Sequence, residues 1–139
     1  MLIGAYPHNM DPKGRVFIPA RFREDLGEQF FVTRGPDACL FAYSRAEWEV
    51  LEARVRAMPM SKARKLQIYL FASAAYVEAD KQGRILLPQN LREHAGLSRD
   101  VMIIGASNRV EIWDRHRWED FCSTITDESI QSVMDELGF

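Results

Sequence analysis

The sequence is short of almost everything that metal or nucleophile chemistry requires. It has two cysteines and three histidines in 139 residues, and none stands in ligand spacing to another. Cys39 and Cys122 read as reduced thiols in packed positions, and His8, His94 and His116 are scattered, so neither a metal nor a small-molecule cofactor is expected. There is no GxxxxGK[ST] phosphate loop and no Ser-His-Asp or Cys-His grouping with a local signature. No apolar run approaches the length of a membrane span. Met1-Leu2-Ile3-Gly4-Ala5-Tyr6 lacks the basic start and long apolar core of an export signal, so a cytoplasmic protein without membrane attachment is expected. Disorder is excluded as well, because 47% of residues are hydrophobic against 27% charged.

Net charge is small, −2, which does not mark the chain as a nucleic-acid binder. Its distribution says more. Residues 1–23 hold Lys13, Arg15, Arg21 and Arg23 against Asp11 alone, and residues 45–65 hold six bases against three acids, a local +3 in each case. The last thirteen residues carry Asp127, Glu128, Asp135 and Glu136 and no base. Such asymmetry allows a basic face on an acidic protein, and equally an unevenly charged solvated surface.

What the sequence does have is a stretch that occurs twice. Asp11-Pro12-Lys13-Gly14-Arg15-Val16-Phe17-Ile18-Pro19-Ala20-Arg21-Phe22-Arg23 is answered, 69 residues on, by Asp80-Lys81-Gln82-Gly83-Arg84-Ile85-Leu86-Leu87-Pro88-Gln89-Asn90-Leu91-Arg92. Asp, Gly, Arg, Pro and a second Arg keep their places, with apolar residues in register. Glu24 and Gly27 answer Glu93 and Gly96; after one inserted residue Gly35 answers Gly105, and Leu40–Trp48 aligns with Val110–Trp118. An internal duplication sets the architecture before any single element does. Units of about 50 residues are marginal alone, so the two should share one core. The expected divisions are a first repeat over 1–58, a helical connection over 59–72, a second repeat over 73–125 and a C-terminal helix over 126–139.

Each repeat reads as strand, tight turn, strand, short helix, strand, turn, strand. In the turns, Asp bonds its own backbone two residues on and Gly supplies positive φ. Strands are expected over 3–10, 15–18, 30–33, 39–43, 76–79, 84–87, 101–104 and 110–113. Helices are expected from Ala20 to Leu26 and from Pro88 to Ala95, begun by Pro19 and Pro88 and stopped by Gly27 and Gly96. Ser44 with Glu47 forms a capping box for a helix running to about Met58, which Pro59 ends, and Ser61 caps the next. Asp114 caps a helix containing Trp118 and Phe121. Ile130, Val133, Met134 and Leu137 recur at helical spacing in a last segment, too short to stand alone in water, which should dock on its own domain or on a neighbour.

Three chemistries fit the repeated motif. Catalysis is disfavoured, because Asp11 and Asp80 lie beside bases that lower a carboxylate pKa. A structural role suits Asp11, Gly14, Pro19 and Gly27, with Asp11–Arg15 and Asp80–Arg84 pairing across their turns and Arg23 and Arg92 covering apolar surface. Nucleic-acid binding suits Lys13 and Arg15 with Lys81 and Arg84, since arginine forks onto a guanine edge or a phosphate and lysine acts as a point charge. Weak sites multiplied by oligomerisation would gain affinity through effective concentration.

The duplicated D-x-x-G-R-[VI]-x-[IL]-P-x-x-[FL]-R, with His8-Asn9 before the first Asp, resembles the MraZ family over residues 1 to about 125. The half-motif is similar to the wider AbrB-like (SpoVT-AbrB) group. The resemblance implies an α+β swapped-hairpin pseudo-dimer with a small β-barrel-like sheet and outer helices, both copies being held in one chain. It further implies a non-enzymatic, nucleoid-associated DNA-binding repressor of the bacterial division and cell-wall gene cluster. Members form ring-like homo-oligomers and bind short, G-rich direct repeats upstream of their own operon. By position, Arg15 and Arg84 are then the residues expected at DNA, with Lys13 and Lys81 beside them, while Asp11, Gly14, Pro19, Arg23, Asp80, Gly83, Pro88 and Arg92 shape the motif. Pro12-Lys13 becomes Lys81-Gln82 in the second copy, so its base has moved one place. The rival reading is a protein-interaction module of the AbrB-type antitoxin kind, using the same hairpins to hold a partner.

Overall fold

Each motif copy folds as a tight turn feeding a three-residue strand, in a computed structural model that describes residues 1–139. The first copy supplies β1 (Leu2–Asn9), β2 (Arg15–Phe17), α1 (Ala20–Leu26), β3 (Gln29–Gly35), β4 (Cys39–Tyr43) and α2 (Arg45–Arg56). α3 (Met60–Gln67) runs on into a wider π turn over Ile68–Ala72. The second copy supplies β5 (Ala75–Glu78), β6 (Arg84–Leu86), α4 (Gln89–Ala95), β7 (Asp100–Ser107), β8 (Val110–Asp114) and α5 (Arg115–Cys122), and α6 (Asp127–Glu136) follows. No helix is long and apolar enough to cross a membrane.

The mixed α+β architecture is pseudo-symmetric and antiparallel. Six strands run in the order β1-β7-β8-β4-β3-β5, so the first strand of each copy lies on the third strand of the other. β4 and β8 pair at the centre. β2 and β6 pair with each other as a separate two-stranded ribbon, Val16 opposite Ile85. Alternation fixes the faces, because successive strand residues point to opposite sides. Phe30, Val32, Leu40, Ala42, Val101, Ile103, Val110 and Ile112 point inward onto Val16, Ile18, Phe22, Ile85, Leu87 and Leu91, all buried in one cluster. Burying a residue such as Val16 or Ile85 contributes roughly 1.5–3 kcal/mol, so the ribbon is held by its inner face more than by its short pairing.

The outer sheet face carries helices. Trp48 of α2 stacks on Phe31 at 4.8 Å, and Trp118 and Phe121 of α5 pack on Trp113. Tyr43 ends β4, Trp113 is the last residue but one of β8, and the two strands run antiparallel. α2 and α5 therefore sit at opposite ends of this face.

Several local expectations change. Ser44 accepts from the Glu47 amide at 3.2 Å without a return bond from the Glu47 side chain, so only half of that capping box forms. α3 starts directly after Pro59, which occupies the cap position, and Ser61 lies inside the helix, capping nothing. Gly35 stands level with Ala106, not Gly105. Gly35 pairs with Cys39, and the Ala106 amide donates to the Arg109 carbonyl at the matching place, because two extra residues precede β7 and one fewer joins it to β8. At the end of the chain, Thr126 and Ser129 form a full capping box that opens α6.

Candidate nucleic-acid interface

The motif turns are built by their aspartates. Asp11 Oδ1 accepts from the Lys13 and Arg15 amides at 3.0 and 2.9 Å, and Asp11 Oδ2 accepts from Arg15 Nε at 2.6 Å. Asp80 repeats this with the Gln82 and Arg84 amides, both at 2.9 Å, and with Arg84 Nε at 3.2 Å. Arg84 Nη1 also lies 3.7 Å from Asp11 Oδ2, which links the two copies. Each guanidinium is thus gripped by its Nε edge. The Arg15 and Arg84 side chains remain 33% and 30% accessible, enough for outward atoms to meet a ligand. Lys13 and Lys81 are exposed at the turn tips.

The other motif residues clasp one copy to the other. Gly14 and Gly83 take φ of +88° and +79°, a region that favours glycine. Their carbonyls accept from the Leu87 and Ile18 amides of the opposite copy, both at 2.9 Å. A Cβ on Gly14 would sit 2.7 Å from the Arg92 guanidinium carbon, and one on Gly83 3.0 Å from Arg23 Nη2. Arg23 Nε and Arg92 Nε donate to the Ile18 and Leu87 carbonyls at 3.0 Å. Each second arginine is therefore fastened at the end of its own strand and roofs the opposite turn. Pro19 and Pro88 take the cap positions of α1 and α4.

Arg15 and Arg84 line one open cleft of about 660 Å³ with Asn9, Asp11, Phe17 and Arg99. Asp11 and Asp80 cancel the two motif arginines, so the net positive charge here comes from Lys13, Lys81 and Arg99. Arg99 is exposed and pairs with no carboxylate. The two ends of the ribbon are not alike. The Arg99 carbonyl accepts from the Met10 amide at 2.7 Å, and at the equivalent place the Glu28 carbonyl accepts from Ala79 at 3.1 Å. Asn9 pairs with Asp100 where Glu78 pairs with Gln29. The first copy thus opens beside Arg99 and Asn9, and the second beside Glu28 and Glu78. Arg99 escaped the sequence reading, because only the exchange of β1 onto β7 brings it to the first turn.

Titration should report this geometry. Asp11 is held below the ordinary carboxylate range chiefly by the Arg15 amide, then by the Arg15 side chain; Asp80 is lowered chiefly by the Arg84 amide, then by the Gln82 amide and the Arg84 charge. A depressed carboxylate favours the folded state fully above the unfolded value of about 3.9, and the contribution is lost as pH falls through the folded value. Carboxyl-carbon NMR should place both midpoints below about 3.9. Their contribution should stay flat from about pH 8 to 5, and Asp11→Asn with Asp80→Asn should remove part of the stability lost below about pH 4. Midpoints at or above the ordinary value would refute the turn geometry.

The remaining reactive groups stand apart. Burial, then the Glu111 and Asp37 charges, push the Cys39 thiol well above its usual range, and Cys122 is raised by burial; both are free thiols. His8, 4.9 Å from the Phe17 ring, has its pKa lowered by burial, which disfavours the charged form.

Comparison with known proteins agrees with the duplication. The model of the MraZ protein family, described as antitoxin-like, matches twice, over residues 1–68 and 70–137. A protein of Acetivibrio thermocellus named transcriptional regulator MraZ is 54% identical over 142 residues, covering 99% of both chains. A protein of the same name from Thermoanaerobacter sp. (strain X514) is 50% identical over 139 residues, covering 99% of this chain and 96% of its own.

Proposed function

The chain belongs to the MraZ family, and from that premise we propose that it is a sequence-specific DNA-binding transcriptional regulator that reads DNA through its β2–β6 ribbon. It acts without catalysis in the cytoplasm, at the nucleoid, as a repressor of the division and cell-wall gene cluster. It binds direct repeats upstream of its own operon as a ring-like homo-oligomer. The exchanged strands and the shared ribbon favour the AbrB-like swapped-hairpin fold, with the ribbon closing a small barrel-like core.

One observation carries the reading: two arginines, one from each copy, meet in one cleft with their Nε edges held by aspartates. A guanidinium fixed by one edge keeps the other free to fork onto guanine O6 and N7 or onto a phosphate, with less freedom to lose on binding. The B-DNA major groove admits a two-stranded β-ribbon. Val16 and Ile85 face the core, while Arg15, Phe17, Arg84 and Leu86 face away. Leu86 is 59% exposed, an apolar contact of the kind a thymine methyl accepts. Arg99 and Asn9 make the first copy the stronger partner of phosphate, and Glu28 and Glu78 weaken the second.

The test is binding to a duplex carrying G-rich direct repeats against a scrambled duplex across salt concentrations. The repeat duplex should bind tighter, and log K should fall linearly with log salt at about −0.9 per neutralised phosphate. Equal binding of both duplexes would overturn sequence specificity. Salt-independent binding, or none, would overturn the DNA reading and favour the protein-interaction module.

A further inference from the structure

α6 is a helix without a partner. None of its residues is buried, yet Ile130, Val133, Met134 and Leu137 form one apolar face and Leu137 is 76% exposed. Ten residues are too few for a helix stable by itself in water, so its capping box orders an element whose packing lies elsewhere. Its surroundings are acidic: Asp127, Glu128, Asp135 and Glu136, with no base from residue 127 onward. That charge disfavours nucleic acid and an anionic lipid surface alike.

The outer sheet face carries the complement at its α2 end. Arg54 near the end of α2 and Lys62, Arg64 and Lys65 on α3 are exposed and make no ion pair within the chain. Among them stand Met60 and Ile68, 72% and 49% exposed. Residues 45–67 hold six bases and three acids, a net +3, and residues 115–136 hold two bases and six acids, a net −4. The two surfaces do not meet within the chain, since each is left exposed.

We propose that α6 of one copy docks its apolar face on the α2–α3 surface of a second copy. The contact joins two different surfaces, so each copy presents one free end of each kind, and a repeated contact closes into a ring if its rotation allows. The ribbon with Arg15 and Arg84 lies on the inner side of the sheet, away from α2, whose Trp48 packs on the outer face. This interface rests on the homo-oligomeric reading above and names the surfaces that form it.

The test measures solution mass by light scattering for the full chain and for charge-reversed variants, with circular dichroism as the check of folding. The wild type should be a multiple of 16.0 kDa. Asp135→Lys with Glu136→Lys, and separately Arg64→Glu with Lys65→Glu, should each drop to 16.0 kDa while folded. The four changes together should restore the larger mass, which general destabilisation would not. Val133→Asp with Leu137→Asp should also give a monomer. Folded variants that keep the wild-type mass would overturn this interface and leave the oligomer standing. A monomeric wild type would overturn both.

Discussion

Arg15→Ala combined with Arg84→Ala should abolish specific DNA binding in a protein that stays folded and keeps its solution mass. Both side chains lie outside the hydrophobic cluster, and the inner residues of their strands, Val16 and Ile85, are untouched. Each well-placed bidentate contact to a base contributes about 1–3 kcal/mol of discrimination, so losing two costs about 2–6 kcal/mol per chain. That is roughly 30-fold to more than 10⁴-fold in affinity, and simultaneous engagement by several copies would amplify it. The single changes should not add up to the double, since Arg84 Nη1 approaches the carboxylate that holds Arg15. Without Arg15, Asp11 keeps its charge and faces Arg84 more directly. Lysine at both positions should restore the salt dependence and not the preference for the repeat duplex, because an ammonium cannot fork. Undiminished preference in the folded double variant would return both arginines to holding the turns and shift the search to the basic stretch at 54–65.

The same residues show how far the sequence could be read. Asp11 to Arg15 makes its bonds within five residues, so residue types and spacing were enough to expect the turn and the Asp–Arg pair across it. Gly27 and Gly96 ended their helices for equally local reasons. The exchange of β1 and β5 was not spelled out locally, because an alternating strand states which of its faces is apolar and not which strand will lie beside it. Arg99 and Asn9 came together only through that pairing. The alignment of Gly35 with Gly105 misled because a matched glycine outweighed an insertion, whereas the structure keeps Phe30 level with Val101 to preserve the core. Ser61 lost its capping role because Pro59 had already fixed the start of α3. The roof that Arg23 and Arg92 place over the opposite turns also depends on both copies being folded together.

That dependence gives the largest effect on stability, at Gly105. It faces Gly4 across β1 and β7, where Gly4 takes a φ of +99° and brings the β1 backbone unusually close. A Cβ on Gly105 would lie against the Ile3 amide nitrogen, 2.5 Å from the Leu2 carbonyl carbon and 2.8 Å from Ile3 Cα. All three are backbone atoms, so no side chain can rotate aside and the strand itself must move. Overpacking a filled site usually costs about 1–3 kcal/mol, sometimes more. With only backbone to displace, Gly105→Ala should cost about 3 kcal/mol and lower the melting temperature by roughly 10 °C. Gly35→Ala is the comparison: its Cβ would meet the Phe41 ring at 2.7 Å and Cys39 Sγ at 3.0 Å, side chains that can shift, so its cost should be smaller. The harm should also reach the motif. β1 runs directly into Met10, whose amide is held by the Arg99 carbonyl, and from there into Asp11. A displaced β1 therefore separates Arg99 from Arg15, and DNA affinity should fall in Gly105→Ala even at temperatures where it is fully folded. A melting point within about 2 °C of wild type, a shift worth less than about 1 kcal/mol, would show that β1 yields without cost and would remove this link between core and interface.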